Sequence, residues 1–96
     1  MPYEIEYTGS AIAHLQVLTA RQRTIVRNGV RRHLATEPLR ETRNRKLLRP
    51  NIMASWELRL GDLRVYFEVT ESVVSVLAVG VKDRERVRID GKLYLL

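Results

Sequence analysis

The sequence predicts an α+β domain: a small antiparallel sheet of about four strands, with an N-terminal helical hairpin packed on one face. Three observations carry this expectation. Residues 56–69, WELRLGDLRVYFEV, alternate apolar and polar on both sides of Gly61-Asp62, as two strands turned back on each other do. Thr19-Ala20-Arg21-Gln22 has the form of a capping box and opens a stretch with helical apolar spacing. Asp90-Gly91, beyond an apolar run at 73–81, is a strong two-residue hairpin signal. The order is strand, helix, helix, long basic loop, then three or four strands, read as a single domain over 1–96.

In chain order, Tyr3, Ile5 and Tyr7 alternate with Glu4 and Glu6, which fits a short edge strand whose glutamates discourage aggregation. Thr8-Gly9-Ser10 turns into a first helix with Thr8 or Ser10 as N-cap. It runs to about residue 18 and presents Ile12, Leu15 and Leu18, with His14 off the stripe on the solvated side. The second helix follows Thr19 and ends near Ala35, ahead of Glu37-Pro38. Its buried stripe is Ile25, Val26, Val30 and Leu34; His33 is packed or half-buried, and five arginines (21, 23, 27, 31, 32) cover the exposed side. Gly29 costs such a helix about 1 kcal/mol relative to alanine, which points to close approach of the first helix.

Residues 37–55 show no sustained period. The segment is long for a small domain, is rich in arginine, and is pinned by Leu47 and Leu48. In the hairpin that follows, a two-residue loop with glycine first suits a type II′ turn and fixes the register. Leu60 then opposes Leu63, Arg59 opposes Arg64, Leu58 opposes Val65 and Glu57 opposes Tyr66. One face is core; the other carries two directly opposed arginines, a destabilising pair that either an anion or Glu57 and Glu68 must relieve. The run at 73–81 is apolar on both faces, as expected of a central strand, with Gly80 marking a bulge or a close backbone approach. If residues 82–88 stay extended, Lys82, Arg84, Arg86 and Arg88 form a second row of cations on one side. Tyr94, Leu95 and Leu96 close the core or offer an edge to a partner.

Composition narrows the function. Ninety-six residues suffice for one modest core, burying roughly 65% of the unfolded surface. There is no cysteine, hence no disulfide and no thiolate metal site, and two histidines make a zinc centre unpromising. No metal and no cofactor is expected. No apolar run is long enough to span a bilayer and residues 1–7 do not resemble a secretory signal, so a cytoplasmic protein without a membrane partner is the expectation. The net charge of +6 is concentrated: residues 21–49 balance at +8 and the remainder at −2. Only Lys46, Lys82 and Lys92 are lysine; the other cations are arginines, suited to bidentate contact with phosphate or carboxylate. Such a patch suits a polyanion or an acidic partner.

No phosphate loop, metal motif or nucleophile–histidine set is present. Cleavage of RNA by its own 2′-hydroxyl needs no cofactor, only a base, cations around the crowded phosphate and an acid for the leaving oxygen. Glu57 is the candidate base, Arg59, Arg64 and Arg84 the phosphate ligands, and Tyr66 a stacking or positioning group.

The segments TRNRKLLRPN (42–51), WELRLGDLRVYFEV (56–69) and VLAVGVKDRER (76–86), set after a strand and two helices, resemble the RelE/ParE superfamily of toxins from bacterial type II toxin–antitoxin pairs. The RelE branch implies a small α+β fold and ribosome-dependent mRNA cleavage by basic residues on the sheet plus a C-terminal tyrosine. Arg59, Arg64 and Lys82 or Arg84 match the basic set, Tyr94 is the nearest tyrosine, and one position that is lysine in RelE-type enzymes is Glu57 here. The expected catalytic residues are thus Glu57, Arg59, Arg64, Lys82 and Arg84, with Arg43, Arg45, Lys46, Arg49, Tyr66 and Arg86 binding RNA. The ParE branch implies inhibition of DNA gyrase without RNA cleavage. Either branch implies a cognate antitoxin, and the first implies the ribosome and mRNA as partners.

Overall fold

The computed structural model describes residues 2–96. Its elements are β1 (Glu4–Tyr7), α1 (Gly9–Gln16), α2 (Ala20–Leu34), β2 (Arg45–Leu47), β3 (Trp56–Leu60), β4 (Leu63–Thr70), β5 (Val73–Asp83), β6 (Arg86–Ile89) and β7 (Lys92–Tyr94). The α+β class holds, but the expectation of about four strands, all antiparallel, does not: seven strands form one sheet in the order β2-β3-β4-β5-β6-β7, and β1 pairs with β5 in parallel. The additional strands β2, β6 and β7 span only three or four residues each. β2 lies in an arginine-rich loop without alternation, whereas β6 and β7 flank the Asp90-Gly91 turn and extend the sheet beyond β5.

The hairpin register agrees residue for residue, from Leu60 opposite Leu63 to Glu57 opposite Tyr66. Gly61 has φ +62°, the left-handed value that the first loop position of a type II′ turn requires and that glycine adopts without steric cost. Asp90 and Gly91 both have positive φ and close the β6–β7 hairpin as the Asp-Gly signal predicts.

Both faces of the sheet are covered, and alternation along β4 sorts them. Val65 and Phe67 join Leu58, Val74, Val76 and Val79 on one face, packed against Ala11 and Leu15 of α1 and Val26, Val30 and Leu34 of α2. Tyr66 on the other face packs with Ala54, Ala78, Val87 and Ile89. Among the described residues no helix contributes to this second cluster: the loop after β2, which supplies Leu48 and Met53, and the β6–β7 hairpin fold over part of the face. Leu48 thus pins the loop as expected, whereas Leu47 is 55% exposed.

Thr8 caps α1, accepting from the Ala11 N–H. The Thr19–Gln22 capping box forms in full: Thr19 Oγ1 accepts from the Gln22 N–H at 3.1 Å and Gln22 Oε1 from the Thr19 N–H at 2.9 Å. Two details of the expected stripes change. Ile12 and Ile25 are exposed at 47% and 40%, because the sheet lies under Ala11 and Leu15 of α1 and under Val26, Gly29 and Val30 of α2. Gly29 makes room for Leu60 of β3, not for α1: a Cβ there would stand 2.5 Å from Leu60 Cδ1. Gly80 is a close approach and no bulge. A Cβ would stand 2.5 Å from the Arg88 carbonyl oxygen, and the register break in β5 falls at Leu77 instead.

His14 is not a solvated residue. β1 flanks β5 at residues 73–76 and β6 flanks it at 81–83, which leaves a gap between them. In that gap the Val79 N–H donates to His14 Nδ1 at 3.2 Å, and Thr8 Oγ1 donates to the Leu77 carbonyl. Burial holds the His14 imidazole below its ordinary value, against the opposing pull of Asp90. His33 shifts the same way through burial and the charges of Arg45 and Arg32. The unfolded chain therefore takes up these protons first. The stability they confer is intact above the ordinary histidine value of about 6.5 and is lost as pH falls through the lower folded values. The melting temperature should drop between pH 7 and pH 5. His14→Gln, which offers an acceptor that does not titrate, should flatten that slope; equal slopes in both chains would contradict this role. Among the described residues no helix is long and apolar enough to cross a membrane.

Candidate nucleic-acid interface

The polar half of the central hairpin lies on the helix-free face, where four neighbouring strands each present a cation. Lys46 of β2 stands opposite Glu57 of β3, Arg59 of β3 opposite Arg64 of β4, and Arg64 opposite Gly80 of β5; Lys82 is two residues further along β5 on the same side. Adjacent strands lie about 4.8 Å apart, so the register carries a diagonal line of positive charge across the sheet.

Arg59 and Arg64 are directly opposed, and the protein relieves the repulsion in two ways. Arg59 Nε donates to Glu57 Oε1 at 2.7 Å. Arg64, only 8% exposed, folds back so that Nη1 donates to the carbonyls of Gly61 (2.6 Å) and Leu63 (3.0 Å). Glu57 is itself 4% exposed, and its Oε2 accepts from the Tyr66 hydroxyl at 2.9 Å. Burial first, and then the Glu57 carboxylate, push the Tyr66 hydroxyl far above the usual phenol range, so it stays protonated as a donor. Glu68, the other carboxylate expected to neutralise the arginines, instead accepts from the N–H and Oγ of Ser55.

Lys46 and Arg59 line an open groove of about 620 Å³ together with Arg49, Leu47, Leu95 and Leu96. Asn44, which no sequence pattern singles out, fixes the backbone of Arg59. Its carbonyl accepts from the Arg59 N–H at 2.7 Å and its Nδ2 donates to the Arg59 carbonyl at 2.9 Å. No period marked it; an asparagine in a basic loop carries no pattern of its own.

Other expected site residues lie elsewhere. Arg45 opposes Leu58, a core position, and so points to the helical side; it is 9% exposed and Nη1 donates to the His33 carbonyl, satisfying an orphan acceptor in the last turn of α2. Tyr66 is fully buried and has no ring face to offer a base. Residues 82–88 do not stay extended. The chain turns at Arg84-Glu85 so that Asp83 pairs with Arg86, leaving Arg84 exposed at the tip of the turn. Arg86 and Arg88 fall on the side away from Lys82, where Arg88 Nη2 meets Asp83 Oδ2 at 2.6 Å. Arg43 lies exposed ahead of β2. Tyr94 lines a different cavity, of about 500 Å³, with His14 and Asp90. Among the described residues no cluster of His, Asp or Glu is arranged to hold a metal ion.

The molecule is an α+β protein whose sheet carries two helices on one face and a basic line on the other. The chain matches a chain of the toxin–antitoxin complex RelBE2 from Mycobacterium tuberculosis at 26% sequence identity and a TM-score of 0.70, covering 85% of this chain and 100% of that one. No protein-family model and no curated protein sequence matches it. This likeness supports a RelE-family toxin as the kind of protein to which the chain is similar.

Proposed function

We propose that this chain is the toxin of a toxin–antitoxin pair and that it arrests translation by taking mRNA on the helix-free face of its sheet. The observation that carries this reading is the line of cations across β2, β3, β4 and β5, with Lys46, Arg59 and Lys82 reaching solvent. A row of this kind follows a phosphate backbone. Attack of a ribose 2′-oxygen on the adjacent phosphorus forms a cyclic phosphate and breaks the bond to the leaving 5′-oxygen. Cations held in place stabilise the charge that gathers on the phosphoryl oxygens. Both Glu57 oxygens are already engaged, which argues against Glu57 as the base. In this reading the face supplies charge and orientation, the 2′-hydroxyl proton leaves to solvent or to the ribosome, and the leaving 5′-oxygen takes up a proton from the same source. The antitoxin docks on the opposite side, where Arg27, Arg31 and Arg32 of α2 have no ion-pair partner among the described residues and suit an acidic segment.

The engagement of Glu57 also favours a second reading, a toxin that blocks DNA gyrase by binding and cuts no RNA. Two assays on the purified chain separate them. The first reading expects mRNA to be cut in a translation mix only when ribosomes are present, with gyrase supercoiling untouched. Inhibited supercoiling with intact mRNA would favour the second.

A further inference from the structure

We infer that the buried Glu57–Tyr66 pair is a positioning device that turns Arg59 into the fixed reading point of the groove. This rests on the RNA reading above and goes beyond it by assigning what Glu57 and Tyr66 do. Arg59 is held at three points, and its side chain, unlike that of Arg64, still reaches the groove. Its N–H and carbonyl are both bonded to Asn44, and its Nε is bonded to Glu57. Binding through Nε leaves the two terminal nitrogens without a hydrogen-bond partner among the described residues, on a side chain 45% exposed at the groove. A guanidinium oriented in this way offers its remaining edge as a two-pronged donor to a phosphate.

The carboxylate that orients Arg59 is in turn oriented. Tyr66, with no exposed surface, donates to the second oxygen of Glu57 and fixes the plane of the carboxylate. Lys46 stands opposite Glu57 in the register yet makes no ion pair with it, so the carboxylate is committed to Arg59 and Lys46 is left for the ligand. The chain therefore uses a buried acid to aim a cation, where a free cation in the same place would lose orientation to rotamer freedom.

The probe is a short single-stranded RNA titrated against the full chain, with thermal melting run in parallel. Tyr66→Phe removes one hydroxyl and no charge; Glu57→Asp keeps the charge and shortens the arm that must reach both partners. Each is expected to weaken RNA binding about three- to tenfold, the worth of one hydrogen bond. Neither should weaken it further when Arg59→Ala is already present, because the pair acts only through Arg59. Equal losses with and without Arg59, or no loss with Arg59 in place, would overturn the positioning role. If Arg59→Ala itself leaves RNA affinity unchanged, the RNA reading falls and this inference with it. If Arg59→Ala weakens binding but Tyr66→Phe and Glu57→Asp do not, the RNA reading stands and the positioning role alone is lost.

Discussion

Gly80→Ala is expected to lower the stability of the folded chain by about 3 kcal/mol, at the upper end of what overpacking costs. The alanine Cβ would stand 2.5 Å from the Arg88 carbonyl oxygen, 2.6 Å from Ile89 Cγ1 and 2.8 Å from Val87 Cγ1. The first of these is backbone and cannot rotate away; it moves only if β6 moves. β6 is also the strand that brings Val87 and Ile89 onto the second core, against Tyr66 and Ala78. A shift that admits the methyl group thus opens the packing over Tyr66. For a domain of this size about 3 kcal/mol corresponds to a fall of roughly 15 °C in melting temperature. Gly29→Ala is the useful contrast, since its close neighbours are the ends of the flexible Leu60 side chain. A melting temperature within a few degrees of the parent for Gly80→Ala would contradict the close approach.

The joint replacement Lys46→Ala with Lys82→Ala is expected to produce a large loss of nucleic-acid binding. Neither side chain makes an ion pair among the described residues, so removing both should leave the fold intact. In a titration with single-stranded RNA, losing two phosphate contacts reduces the slope of log affinity against log salt by about 1.4, at roughly 0.7 per contact. Affinity at low salt should fall more than tenfold. An unchanged slope would mean that these ends of the row do not touch the backbone of the RNA.

The register from Glu57 to Tyr66 is legible because a two-residue loop permits one pairing and strict alternation permits one facing. The capping box at Thr19 was legible because its signature is local. β2 was not, because three residues in an arginine-rich loop have no alternation; the strand exists because Asn44 docks on the backbone of Arg59. Arg45 looked like one more loop cation, yet its place opposite Leu58 sends it to the core side, a fact of pairing that composition does not carry. The cations beyond residue 81 share one side only if the chain there stays extended. A two-residue turn at Arg84-Glu85 reverses the chain and divides them between two faces. Tyr66 looked available for stacking because alternation gives the face a residue points to, and says nothing of the β6–β7 hairpin that folds over it.

The proposed function requires the target to be taken on the face of the sheet, rather than by positive charge in general. The most direct measurement is growth and protein synthesis after induction of two variants with equal loss of charge and melting temperatures matched to the parent. One carries alanine at Lys46, Arg59 and Lys82; the other carries alanine at Arg27, Arg31 and Arg32 of α2. The account expects the first to grow normally and the second to arrest growth as the parent does. Arrest by the first with normal growth of the second would place the target on the helices and contradict it.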